Sequence, residues 1–169
     1  MYLLLIFVSE IKAQSYRDWG VGIENVYNIP IKGVGFGLRS HFNLSNKWFL
    51  SPQFSFYPSW NKVSESYYGA NINYNLTSEK KWGLYISLGP YYNHWSNHSV
   101  SSFSEAKLVN FSIELGGGIY RDAGCFRPFF EYLANAKWWE SNLSAGVNVF
   151  FGACVSGERG RDGYKCPAY

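Results

Sequence analysis

Apolar and polar residues alternate along most of the chain. From Val109 to Ile119, apolar or small residues occupy every second position, and the positions between them are polar or glycine, with Glu114 among them. A period of two is typical of a β-strand with one apolar and one polar face. The same alternation recurs in segments bounded by turn-forming residues. It predicts eight strands: Asp18–Tyr27, Gly33–Leu44, Trp48–Tyr57, Tyr67–Leu76, Trp82–Tyr92, Val109–Ile119, Phe126–Ala134 and Leu143–Phe151.

The predicted connections alternate in length. The short ones are Ser45–Lys47, Thr77–Lys81 and Asp122–Gly124, and the longer ones are Pro58–Ser66, Asn93–Lys107 and Asn135–Ser141. The connection Asn28–Lys32 fits either group. Outer-membrane barrels have short periplasmic turns at one end and longer extracellular loops at the other. The connections therefore favour such a barrel, with both termini on the short-turn side.

Charged residues are scarce and share one face. They make up 16% of the 169 residues, compared with about 25% in a typical soluble domain. Those inside the predicted strands are in phase with Gly, Ser and Asn; they are Glu24, Arg39, Glu114, Arg127 and Glu131. A soluble lipocalin-like barrel has an apolar interior and a charged surface instead. We therefore expect the polar face to line a narrow lumen and the apolar face to contact lipid, with the soluble ligand-binding barrel as an alternative.

Both ends of the chain are expected to lie outside the barrel. Residues 2–8 form an apolar run that is too short to span a bilayer, and a plausible cleavage point follows near Ala13 or Gln14, as in a secretory signal peptide. We predict a signal peptide over residues 1–14, a barrel over residues 15–153 and a flexible periplasmic tail over residues 154–169. The net charge is only +3 and forms no basic stripe, so nucleic acid is not an expected partner.

The last strand carries a pattern found in a known class of proteins. Ser144, Gly146, Val149 and Phe151 have a polar, glycine, apolar and aromatic spacing that resembles the signal read by the barrel assembly machinery. With this strand, the chain after residue 14 resembles the small eight-stranded outer-membrane barrels of the OmpA/OmpX type, in the short form common among Bacteroidota-type envelope proteins. The resemblance implies an all-β, antiparallel, up-and-down transmembrane barrel in the outer-membrane lipid of a Gram-negative cell. It implies no cofactor.

The polar face supplies the main candidate site. Its possible members are Glu24, Arg39, His41, Glu114, Arg127 and Glu131. We interpret them as an ion-paired plug, because eight strands enclose little beyond their own side chains and unpaired charges in such an interior are unfavourable. The alternatives are a proton or ion path and an envelope enzyme that uses Glu114, Glu131 and Arg127. His94 and His98 are four residues apart in a predicted loop, where that spacing does not favour a metal site.

Aromatic residues are expected near both ends of the barrel. Trp19, Trp48 and Trp82 fall at short-turn ends of strands. On the long-loop side lie Tyr27, Tyr92, Trp60, Trp95, Trp138 and Trp139. Their placement predicts two interfacial girdles, and the loop tryptophans are alternatively contacts for sugars or a partner protein.

Three cysteines, Cys125, Cys154 and Cys166, are available for a disulfide in an oxidising compartment. Cys125 begins the seventh strand and Cys154 follows the eighth, so these two would meet at the periplasmic rim. Pairing of Cys154 with Cys166, or reduced thiols, remain the alternatives.

The sequence thus predicts a non-enzymatic outer-membrane barrel with a plugged lumen. Its loops or its tail would contact a partner, either as an envelope structural or adhesion protein or as an accessory subunit of a larger outer-membrane complex.

Overall fold

The computed structural model describes residues 19–58, 64–77, 81–96, 109–137 and 140–151. The predicted signal peptide and periplasmic tail lie outside these ranges. No helix in the described part of the chain is long and apolar enough to span a membrane.

The described residues form eight antiparallel strands, in agreement with the sequence. The strands are β1 (Trp19–Asn28), β2 (Gly33–Asn43), β3 (Trp48–Tyr57), β4 (Ser64–Thr77), β5 (Trp82–Ser96), β6 (Val109–Arg121), β7 (Phe126–Asn135) and β8 (Ser141–Phe151). Each strand pairs with the next one along the chain, and β8 pairs with β1. The sheet is therefore a closed up-and-down barrel, which leaves no edge strand.

Strands β4 and β5 exceed their predicted ranges by the most, four residues each. The ladder between β4 and β5 continues to the pair Ser64–Ser96, although polar outward residues such as Ser66 and His94 interrupt the apolar alternation there. Cross-strand hydrogen bonds therefore hold β4 and β5 together in this extension, where apolar side chains do not contribute. The prediction that Trp95 and His94 lie in a loop is therefore wrong, because both belong to β5.

The orientation of the two faces is as predicted. The outward side chains are apolar and highly exposed, for example Ile23 at 64% and Phe111 at 62%, whereas Arg39 and Glu114 in the lumen are only 4% and 2% exposed. A soluble barrel needs the reverse arrangement, so the lipocalin-like alternative is rejected. In hydrocarbon every backbone N–H and C=O must be bonded internally, and a closed ladder meets that requirement.

Glycines in the wall allow the strands to approach closely. A Cβ atom at Gly116 would lie 1.9 Å from the backbone oxygen of Tyr132 on β7. The atoms nearest to a Cβ atom at Gly69 on β4 would belong to the side chain of Gln53, the closest at 3.2 Å. The backbone cannot move aside as a flexible side chain can, so the contact between β6 and β7 requires glycine at position 116.

We expect Gly116→Ala to lower the free energy of unfolding by about 1–3 kcal/mol, the usual effect of overpacking. Gly69→Ala is the matched control and should change it less. Urea titration of each variant in lipid vesicles measures its free energy of unfolding. The folded fraction is read from the altered migration of the barrel on unheated gels. Equal stability of the two variants would contradict the assignment.

Candidate functional site

A buried arginine stands at the centre of the lumen. Arg39 on β2 forms a bidentate pair with Glu131 on β7, with Nη1–Oε2 and Nη2–Oε1 distances of 3.0 and 2.6 Å. Its Nη2 also lies 2.9 Å from Oε2 of Glu24 on β1 and donates to Oε1 of Gln53 on β3 at 2.9 Å. One guanidinium therefore connects four strands across the barrel.

Neighbouring polar groups complete this arrangement. The Tyr85 hydroxyl donates to Oε2 of Glu131 at 2.6 Å, and Nε2 of Gln53 donates to Oε2 of Glu114 at 3.3 Å. We call Arg39, Glu24, Glu131, Gln53 and Glu114 the central cluster. Within the described strands, no Lys or Arg nitrogen lies within 4.0 Å of Glu114, so Glu114 joins the cluster through an amide and not through an ion pair.

Local sequence makes room for the cluster. Gly37 faces the lumen two positions from Arg39, and the Glu24 side chain lies over it. A Cβ atom at Gly37 would be 2.6 Å from Cγ of Glu24. The absence of a side chain at Gly37 is what allows Glu24 to reach the guanidinium.

Arg127 does not belong to the central cluster. Its Nε donates to Oδ1 of Asp122, in the β6–β7 turn, at 2.7 Å, and its guanidinium lies 4.4 and 4.5 Å from the ring centroids of Tyr120 and Phe150. Arg127 and Glu131 are four residues apart on β7, which is about 13 Å along a strand. The sequence predicts one network of lumen charges, whereas the structure separates Arg127 from Glu131 and does not assemble Arg127 with Glu114 and Glu131 as the enzyme alternative requires.

His41 packs as a filler near the short-turn end. Its ring stacks on Phe49 at a centroid distance of 4.3 Å and meets Phe150 edge-on at 4.9 Å. Its Nε2 lies 3.0 Å from Oδ1 of Asn43 and 3.3 Å from Nη1 of Arg127. The described residues contain no group of three or more His, Cys, Asp or Glu placed to hold a metal ion.

Two layers of mainly aromatic side chains enclose the central cluster, and the sequence did not predict them. The upper layer, toward the long loops, consists of Val26, Tyr57, Tyr67 and Tyr91, and the lower layer consists of Phe49, Tyr85, Tyr120 and Phe129. The signal was present, because these residues share the parity of the lumen charges along each strand. An alternation of polar and apolar residues predicts which face is polar, but it does not by itself show that large rings on that face fill the lumen.

The layers leave little free space. The cavity between the upper layer and the central cluster measures about 20 Å³, and the one among Arg39, His41 and the lower layer about 10 Å³. A cavity of this size holds about one water molecule. The part of the lumen built by the described residues is therefore a plug and not a channel.

The long-loop end of the lumen carries two carboxylates. The Tyr67 hydroxyl donates to Oε2 of Glu65, and the Tyr57 hydroxyl donates to Oδ1 of Asn142 at 3.3 Å. Burial, together with the negative charge of Glu65, raises the pKa of Glu140, which lies between β7 and β8.

The remaining candidate residues are placed as follows. Trp19, Trp48 and Trp82 lie exposed at the short-turn ends of their strands, whereas Trp95 is half-buried in phase with the lumen. Trp60, Trp138, Trp139 and His98 lie outside the described residues.

Cys125 is buried at the short-turn rim, where its carbonyl accepts from the Phe150 amide at 2.9 Å. Cys154 and Cys166 lie outside the described residues, so the predicted pairing stays a prediction. The assembly signal also stays a prediction. Ser144 and Gly146 face the lumen in β8, and Val149 and Phe151 face outward.

Comparison with known proteins identifies the fold. No protein-family model and no curated protein matches the chain. The N-terminal β-barrel domain of OprF from Pseudomonas aeruginosa has a TM-score of 0.63 at 13% identity, covering 82% of this chain and 100% of that one. Neisserial surface protein A has a TM-score of 0.56 at 15% identity, covering 82% and 100%. The outer membrane enzyme PagL has a TM-score of 0.51 at 10% identity, covering 76% and 96%. The chain thus has the fold of a small, OmpA/OmpX-like transmembrane β-barrel.

Removing the guanidinium should destabilise the barrel strongly. We expect Arg39→Met to lower the free energy of unfolding by about 3–5 kcal/mol, because Glu24 and Glu131 would remain buried and facing each other. Arg121→Met is the control, since Arg121 is exposed at the rim and lies 5.5 Å from the Trp82 ring. Urea unfolding in vesicles compares them, and similar losses in both variants would refute the central role of Arg39.

The pKa of Glu140 predicts a pH-dependent effect. Folding raises the pKa of this carboxyl above its value in the unfolded chain. As the pH rises, the unfolded chain therefore releases the proton at a lower pH than the folded protein does, and the free energy of unfolding falls until the pH exceeds the pKa of the folded state. We expect Glu140→Gln to raise the free energy of unfolding at about pH 7 and to leave it unchanged at about pH 3, below the ordinary Glu pKa of about 4.3. Urea titrations at both pH values measure this, and a variant less stable than the native protein at neutral pH would contradict it.

Proposed function

We propose that the protein is a non-enzymatic outer-membrane barrel that presents its long-loop end at the cell surface as an envelope structural or adhesion protein. The observation that carries this proposal is the filled lumen. A barrel sealed by two aromatic layers and an ion cluster offers no path for solutes. We therefore place the function at the long-loop end, where the protein would contact other molecules.

The solved relatives support this assignment without deciding the role. PagL is an outer membrane enzyme and NspA is a surface protein, which supports the outer membrane of a Gram-negative cell as the location. PagL is an enzyme, so the fold alone does not exclude catalysis. The separation of Arg127 from Glu114 and Glu131 argues against the catalytic group considered above.

Partners are expected at the long-loop end or at the tail. The connection of residues 97–108 is the longest between the strands, and residues 154–169 follow the barrel. The proposal has a second form, in which either segment binds another protein and makes the barrel a subunit of a larger outer-membrane complex.

Cell fractionation and conductance measurements test the proposal together. We expect the protein in the outer-membrane fraction, with migration on gels that changes on heating, and we expect planar bilayers containing it to show no conductance steps. Replacing residues 97–108 by a short turn should abolish cell adhesion or co-purification of a partner while the barrel still folds, and removing residues 157–169 is the parallel variant. Steady ion conductance, or a soluble location, would overturn the proposal.

A further inference from the structure

The hydrogen-bond ladder between β2 and β3 is interrupted within the apolar wall. Pairing runs from Phe36–Phe56 to Arg39–Gln53 and resumes at Phe42–Leu50, in unchanged register. The skipped positions are Ser40 opposite Pro52 and His41 opposite Ser51. On its other side Pro52 stays paired with Ala70 of β4. Proline has no N–H to donate, and the missing donor therefore faces β2.

A recess lies on the lipid-facing side of this interruption. Its lower part, of about 590 Å³, is lined by outward residues that include Ser40, Pro52, Val147 and Val149. It continues along β1 into an upper part of about 530 Å³, and the two parts share Ile23, Leu38, Phe54 and Val147. An apolar groove thus follows β1, between the interrupted ladder on one side and the short side chains of β8 on the other.

The upper part of the groove contains a polar group on an otherwise apolar face. Asn25 of β1 lines it, lies two positions below Tyr27 and is exposed toward lipid. None of the hydrogen bonds among the described residues involves its side chain. An amide in hydrocarbon is unfavourable without a partner, so this position calls for a ligand that has a polar group next to an apolar chain.

We propose that this groove holds one acyl chain of a membrane lipid, with Asn25 hydrogen-bonded to the ester or amide linkage, or to a hydroxyl beside it. The proposal rests on the proposed location of the barrel in a membrane. From Asn25 to Val21, which is opposite Ser40, the groove runs about 13 Å along the strand, enough for a substantial part of one chain. The two parts together are lined by eighteen different residues, fewer than the roughly 20–30 a side of a stable protein interface, which favours a lipid over a second copy.

Photolabelling tests the site. The full barrel is placed in phosphatidylethanolamine vesicles containing phosphatidylglycerol with a diazirine in mid-chain, and labelled peptides are quantified by mass spectrometry. We expect peptides of β1, β2 and β8 to be labelled about twofold to tenfold more than those of β5 and β6, the preference that one hydrogen bond supplies. Asn25→Leu and the groove-filling Ala145→Phe should remove the preference. Asn25→Gln should keep part of it, and Ile119→Phe on β6 is the matched control for added bulk.

Flotation of the vesicles and heat-dependent migration are checked first. Protein that does not insert would contradict the proposed function itself. Inserted protein that is labelled evenly around the barrel, or that shows a dimer mass in native mass spectrometry which Ala145→Phe abolishes, would overturn only the lipid site.

Discussion

Closure of the sheet is the constraint on which the rest of this structure depends. Hydrocarbon offers no partner for backbone N–H and C=O groups, so the strands can face lipid only if both sides of each are paired. Strand β1 meets this requirement over its whole length, because all ten of its residues pair with β2 on one side and with β8 on the other. Closure also decides the orientation, since the outer face must then be apolar.

Closing the sheet at eight strands leaves an interior that is about one layer of side chains across. The same geometry that protects the backbone therefore forces lumen residues into contact from opposite walls. Arg39 and Glu131 are 92 residues apart in the chain and form a bidentate pair. Neither charge would be tolerated there alone. The aromatic rings above and below leave only small cavities beside this pair. The same packing therefore fills the lumen and buries its charges.

The interruption at Pro52 shows the limit of this constraint. A missing backbone donor in the wall is accommodated without a change of register, and a recess lies beside it on the lipid-facing side. The exterior of the barrel is therefore not uniform, although every strand contributes apolar residues to it. The packed lumen stabilises the barrel, whereas the functions proposed above depend on the outer surface and the long-loop end.

The sequence by itself determined the number of strands, most of their bounds to within one residue, and the face that each turns outward. These are local properties, because a period of two assigns each residue to a face whatever the partner strand is. It also identified the buried charges, since their parity matches that of the lumen glycines. Only the tertiary structure decided which of those charges meet. Register and tilt place Arg39 against Glu24 and Glu131 and leave Arg127 at the rim with Asp122. The extension of β4 and β5 beyond the apolar alternation was likewise decided by cross-strand pairing, which no single segment encodes.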